Sequence, residues 1–119
     1  MTFQAEVRAT EGLADTREIR IRGWVTFDEA PELRRIILDE VERTPARRLI
    51  LELGGIDNMD TSGAAVLAEA VRAGENKGIR VLLCSPSESV LRIFRLAGFV
   101  EVLDHCCAGW EETRRRLTE

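Results

Sequence analysis

A chain of 119 residues, 45% hydrophobic and 32% charged, has the length and mixture of one folded domain. At that size about two-thirds of the unfolded chain's surface can be buried without help from disulfides or metals. The formal net charge of −4 argues against a nucleic-acid partner, and no apolar run nears the roughly 20 residues that a membrane span requires.

Three cysteines, Cys84, Cys106 and Cys107, make an odd count with two adjacent, which is no disulfide framework and fits a reducing compartment. The opening run Met1-Thr2-Phe3-Gln4-Ala5-Glu6 has neither the basic nor the apolar region of an export signal. The expected location is therefore the cytoplasm, with no insertion into a membrane.

In chain order, Ala5–Ala9 and Glu18–Gly23 alternate as strands do. Val7, Ala9, Ile19 and Ile21 fall on one face, and Glu6, Arg8, Arg20 and Arg22 on the other. Gly12 and Asp15 between them predict a turn, hence an antiparallel hairpin at or near a sheet edge. The period then becomes helical. Leu33, Ile37 and Val41 recur every four residues, Asp28 is the expected N-cap, Pro31 fits the first turn, and Thr44-Pro45 stops the helix. Leu49–Leu53 is the short apolar run of a parallel strand covered on both faces, which Gly54-Gly55 is expected to break.

A second helix from about Ser62 to Asn76 is rich in strong helix formers. Its small residues let it lie close to the sheet, and Gly78 suits the left-handed position past its end. Ile79–Cys84 reads as another buried strand. Ser85-Pro86-Ser87 opens a third helix with Val90, Phe94 and Ala97 inward, closed by Gly98. Phe99–Leu103 is expected to be a last strand, and Ala108–Leu117 a terminal helix with Trp110 and Leu117 inward. Strand–helix alternation after a hairpin implies an α/β fold spanning 1–119 as a single domain. It has a mainly parallel sheet of four to five strands and about four helices. Binding residues gather in the loops that leave the C-terminal ends of such strands, here those after Leu53, after Cys84 (Ser85 and Pro86) and after Leu103.

The loop after the central strand carries the strongest functional signal. Asp60, Thr61 and Ser62 are all N-cap types, and a capped helix start accounts for one of them. Three features go beyond a cap. Met59 is apolar just before it, two hydroxyls stand side by side, and Gly63 gives up helix propensity in the first turn, as a close approach by another chain would require.

Leu49-Ile50-Leu51-Glu52-Leu53, then Ile56, then Met59-Asp60-Thr61-Ser62-Gly63 resembles the signature of STAS domains, especially the anti-sigma factor antagonists. The resemblance continues through Gly78–Leu83 and Ser85-Pro86 to Leu96-Ala97-Gly98-Phe99, and covers roughly residues 5 to 105. It implies a STAS-like fold and a bacterial signalling role that regulates transcription indirectly. The implied partners are an anti-sigma factor serine/threonine kinase, which also sequesters a sigma factor, and a phosphatase that restores the free form.

The phosphoacceptor implied by the resemblance is Thr61, with Ser62 the second choice. The implied docking surface takes in Trp24, Thr26, Phe27, Asp28, Met59, Asp60, Thr61, Ser62, Gly63, Ser85 and Pro86. STAS domains also serve as soluble partners of anion transporters and lipid-trafficking ABC permeases and as components of stressosomes, so a transporter subunit is the alternative.

One departure stands out. Where the sporulation and stress antagonists carry an acidic residue after the second strand, this chain has Thr26. Asp28 either compensates or caps the first helix. Trp24 and Phe27 either pack against the sheet edge or form an exposed aromatic anchor, a role in which Trp is over-represented.

No group of residues points to catalysis, a metal or a cofactor. Asp104-His105-Cys106-Cys107 lacks the spacing of metal ligand pairs, and a neighbouring Cys-His pair cannot aim both groups at one atom. Asp57 and Asp60 read as loop and cap residues, and Gly54-Gly55 lacks the lysine of a phosphate-cradling loop. Arg114-Arg115-Arg116 reads as a helix end that complements the dipole and solvates a face.

Overall fold

Polar and apolar residues alternate along Phe3–Ala9 and Thr16–Val25, and these segments form two antiparallel strands, β1 and β2, with Val7 opposite Ile19 and Ala5 opposite Ile21. The structure, a computed structural model, describes residues 3–118; Met1, Thr2 and Glu119, counted in the expected domain, lie outside them. Then follow α1 (Ala30–Arg43), β3 (Arg48–Met59), α2 (Thr61–Asn76), β4 (Arg80–Cys84), α3 (Glu88–Leu96), a 3₁₀ helix (Val100–His105), β5 (Cys106–Cys107) and α4 (Trp110–Leu117). The five strands lie in sequence order in one sheet, with β1 antiparallel at the edge and the other pairings parallel.

Both faces of the sheet are covered, as the apolar runs of β3 and β4 require. Ile19, Ile21, Leu49, Leu51, Val81 and Leu83 pack under α1, α2 and α3 against Leu33, Ile37, Leu67 and Phe94. Ile50, Leu82, Cys84 and Cys107 face the other way and meet Leu117 of α4. Fully burying each such Leu or Ile is worth roughly 1.5–3 kcal/mol. Ala64 and Ala68 are wholly buried and bring α2 close to the sheet, and Gly78 ends that helix at φ +76°.

Three sequence expectations change. Gly54-Gly55 does not end the central strand. β3 runs on to Met59 because β2 continues alongside it to Val25, with register shifts between Arg20 and Arg22 and between Gly23 and Trp24 that absorb the irregularity. Phe99–Leu103 is not a strand. Most of it winds into the 3₁₀ helix, and the fifth strand is the two-residue Cys106–Cys107, since Val102 is buried at one point rather than on an alternating face. Gly63 is buried, and the close approach it permits is internal: a Cβ there would lie 2.2 Å from the Val25 carbonyl oxygen.

The polar edge of the α4 face is organised by charge. Glu18 is 2% exposed, and its Oε2 accepts from Arg20 Nε at 2.5 Å and Arg8 Nε at 3.1 Å. Burial alone pushes the Glu18 carboxyl up, but hydrogen bonds from neighbours, led by Arg20, outweigh it and hold the pKa below the usual carboxylate range. At the far end, Arg116 donates to the carbonyls of Cys106 (3.0 Å) and Asp104 (2.7 Å), tying α4 to the segment that makes β5. The arginine run therefore does more than solvate a helix end.

Because the native pKa of Glu18 is depressed, the stability it contributes is complete above the ordinary carboxylate range. It is lost as pH falls through the native pKa. Denaturant unfolding from about pH 7 to about pH 3 is expected to show wild type more stable than Glu18→Gln at the upper end, with the gap narrowing on acidification.

Candidate functional site

β2 and β3 run in parallel to their last residues, where Val25 is the register partner of Met59, so the segments that follow them leave the sheet side by side. Asp60 joins these two segments. Its Oδ1 accepts from the backbone N–H groups of Ser62 (2.9 Å) and Gly63 (3.1 Å), capping α2, and its Oδ2 accepts from the Phe27 backbone N–H at 3.0 Å. One carboxylate thus satisfies donors at the start of α2 and holds the loop after β2 against it.

That loop has its own internal lock. The Thr26 hydroxyl donates to Glu29 Oε1 at 2.6 Å, the Thr26 backbone N–H donates to the same oxygen at 2.9 Å, and the Thr26 carbonyl accepts from the N–H groups of Glu29 and Ala30. The Thr26 hydroxyl, then its N–H, draw the Glu29 carboxyl below its ordinary value, while the nearby Asp60 charge acts in the opposite sense. Asp28 is therefore not the cap of α1. It is exposed, and the turn into the helix is built by Thr26 and Glu29. The Thr-x-x-Glu spacing, a known helix-start pattern, was the available signal for this pair.

The side chains that face outward are few and distinctive. Thr61 is exposed and Ser62 half-buried at the first positions of α2. Phe27 is 73% exposed and stands out from the surface, whereas Trp24, within β2, is 39% exposed and partly covered. Asp28, Asp57 and Asn58 are exposed beside them in sequence, whereas Met59 and Gly63 are buried and support the loop from beneath. Ser85 and Pro86 are not gathered into this cluster. β4 stops at Cys84, opposite Glu52, while β3 continues to Met59. Ser85 instead donates its N–H to the Cys107 carbonyl at 2.9 Å, with φ at +60°.

The residues set aside from catalysis are also placed. His105 Nδ1 lies 3.0 Å from the Val81 carbonyl oxygen, and Cys106 has its thiol pKa pushed up to about 11 by burial. Cys84 and Cys107 are buried register partners, and burial likewise raises the Cys84 thiol. Their raised pKa values leave the Cys84 and Cys106 thiols protonated and poor nucleophiles near neutral pH.

The STAS domain family matches residues 4–113. The chain belongs to that family. Among solved structures, the anti-sigma factor antagonist SpoIIAA in its unphosphorylated form is similar over 98% of this chain and 96% of its own, at 23% identity and a TM-score of 0.74. The phosphorylated form of SpoIIAA from Bacillus covers 99% of this chain and 100% of its own, at 20% identity and a TM-score of 0.71. An anti-sigma factor antagonist so described from Thermotoga maritima matches at a TM-score of 0.79 and 15% identity, over 98% of this chain and 95% of its own. A sulfate transporter family protein from Wolinella succinogenes matches at 0.69 and 24%, over 84% of this chain and 82% of its own. At these identities the likeness establishes a shared fold. In this STAS chain the junction of β3 and α2, from Asn58 to Gly63, and the loop from Thr26 to Glu29 form one connected surface.

Replacing Asp60 with Ala removes acceptors from both segments at once. Asp60→Ala is expected to cost about 1–2 kcal/mol in denaturant unfolding, the upper part of the range for a lost N-cap. Amide exchange should quicken at Phe27, Ser62 and Gly63 and stay unchanged in β4.

Proposed function

We propose that this STAS domain is an anti-sigma factor antagonist. In this reading it docks onto an anti-sigma serine/threonine kinase through the surface around Asp60 and is released when Thr61 is phosphorylated. The observation that carries the reading is the placement of an exposed Thr61 hydroxyl at the first position of α2, with Asp60 immediately before it and the exposed Phe27 held by the same carboxylate. The likeness to SpoIIAA, solved in unphosphorylated and phosphorylated forms, supports it.

The physical logic is electrostatic. A phosphoryl group on Thr61 adds about −1.5 to −2 charges at pH 7. It arrives at a helix N-terminus, where the backbone N–H groups and the dipole favour an anion by roughly 0.3–1 kcal/mol, so the fold tolerates it. The docking surface does not. Asp28, Glu29, Asp57 and Asp60 already make its setting acidic, and a partner adapted to it presents basic groups and an apolar recess for Phe27. A bulky dianion placed at the contact must be desolvated or pushes the partner away, and each 1.4 kcal/mol lost is about tenfold in affinity.

Asp28, exposed and released from helix capping, takes the place of the acidic residue that Thr26 lacks. A phosphatase then resets the switch, the domain performs no catalytic step of its own, and its setting is the bacterial cytoplasm. Among the described residues no helix is long and apolar enough to cross a membrane.

A second reading, a STAS subunit that regulates an anion transporter or a lipid-trafficking permease, draws support from the likeness to the sulfate transporter family protein. In that role the same surface is a standing contact and Thr61 needs no modification. A place in a stressosome would use it in the same way. Incubation with ATP and the candidate kinase, followed by mass mapping, separates the readings. Phosphate is expected on Thr61, whereas phosphate on Ser62 alone, or on neither residue, contradicts the proposal.

A further inference from the structure

On the α4 face, at the end of the sheet remote from Thr61, a cavity of about 420 Å³ opens between the hairpin and α4. Its lining includes Arg8, Thr10, Glu18, Arg20, Trp110 and Arg114. This volume lies within the range of small-molecule sites, about 300–1,000 Å³.

The lining is built rather than incidental. Glu18, almost wholly buried, engages Arg20 through Nε alone, which fixes the guanidinium and leaves its terminal Nη groups unused by that contact. Arg8 is spent on Glu18 and on Glu6, 3.4 Å from its Nη1. The guanidinium carbons of Arg20 and Arg114 lie 5.7 Å and 5.8 Å from the centre of the Trp110 ring, so one indole positions both cations. Thr10 is 6% exposed, and its Oγ1 lies near enough to Glu18 to help hold that carboxyl's pKa down, yet makes no well-formed hydrogen bond. A buried hydroxyl without a well-formed hydrogen bond gains from an acceptor that enters the cavity.

Two oriented guanidinium groups and a buried hydroxyl around one space are the donor set for an oxyanion. We propose that this cavity binds a small molecule through a phosphate or sulfate group, held by Arg20, Arg114 and Thr10 with Trp110 as its wall. The site does not depend on the docking reading of Thr61, from which the sheet separates it.

The test is a titration of the full chain, ¹⁵N-labelled, with sodium phosphate and with sodium sulfate, ionic strength held constant with sodium chloride. The Trp110 indole N–H and the Thr10 amide should shift saturably with either oxyanion. Arg114→Gln is expected to weaken binding about tenfold, the scale of one charge-assisted hydrogen bond. Thr10→Val should weaken it several-fold, as loss of one neutral hydrogen bond does. Thr61→Ala should bind as wild type. Equal shifts with chloride alone, shifts that never saturate, or wild-type binding by both Arg114→Gln and Thr10→Val would overturn the proposal.

Discussion

The candidate site depends on one carboxylate. Asp60 accepts backbone N–H bonds from the first turn of α2 and from the loop that follows β2, segments more than thirty residues apart in sequence. A charged acceptor strengthens such hydrogen bonds, and here the acceptor also sits at the positive end of a helix. The Thr61 hydroxyl and the Phe27 ring therefore belong to one surface rather than to two independently moving loops. The scaffold beneath is equally specific. Parallel pairing carries Val25 to the level of Met59, and Gly63 lets α2 start almost in contact with the Val25 carbonyl.

The sheet divides the molecule into two chemically different regions. The segments at the C-terminal ends of β2 and β3 present acidic groups and an exposed aromatic ring, the surface on which the proposed docking rests. The α4 face carries the opposite sign where Glu18 orients Arg8 and Arg20 and Trp110 meets Arg20 and Arg114. A doubly covered sheet has little freedom to deform, so in the proposed switch a change of charge at Thr61 acts locally, on what can dock there. Such a switch asks for no second conformation, only for a contact that tolerates one charge state better than the other.

Much of this was readable from residue order, for physical reasons. Leu49–Leu53 and Ile79–Cys84 announce buried parallel strands because both their faces must be apolar. The four-residue spacing of Leu33, Ile37 and Val41 is the stripe of one helix face, and all three are buried. Asp60-Thr61-Ser62 reads as a helix start because few residue types satisfy free N–H groups there. What stayed hidden was set by partners distant in the chain. Gly54-Gly55 looks like a strand end unless β2 is known to run beside it, and Gly63 looks like room for another protein unless Val25 is known to fill that room. Phe27 and Trp24 lie where strand periodicity gives way to a loop, so no pattern assigned them a side. Arg116 bonds to backbone carbonyls, which leave no mark in a sequence. The pairing of Thr26 with Glu29 is the exception, since its three-residue spacing was present to be read.

The central claim is that negative charge at Thr61 blocks docking while the fold and the Asp60 bridge persist. Its most direct test is the dissociation constant of a candidate anti-sigma kinase for the unmodified domain, the Thr61-phosphorylated domain and Thr61→Glu, with the Phe27 amide signal followed in each. A loss of affinity of about tenfold or more on phosphorylation, a smaller loss for Thr61→Glu and an unshifted Phe27 amide are expected. Equal affinity for the phosphorylated and unmodified forms, or a loss of binding that accompanies unfolding of the Thr26–Glu29 loop, would contradict the claim.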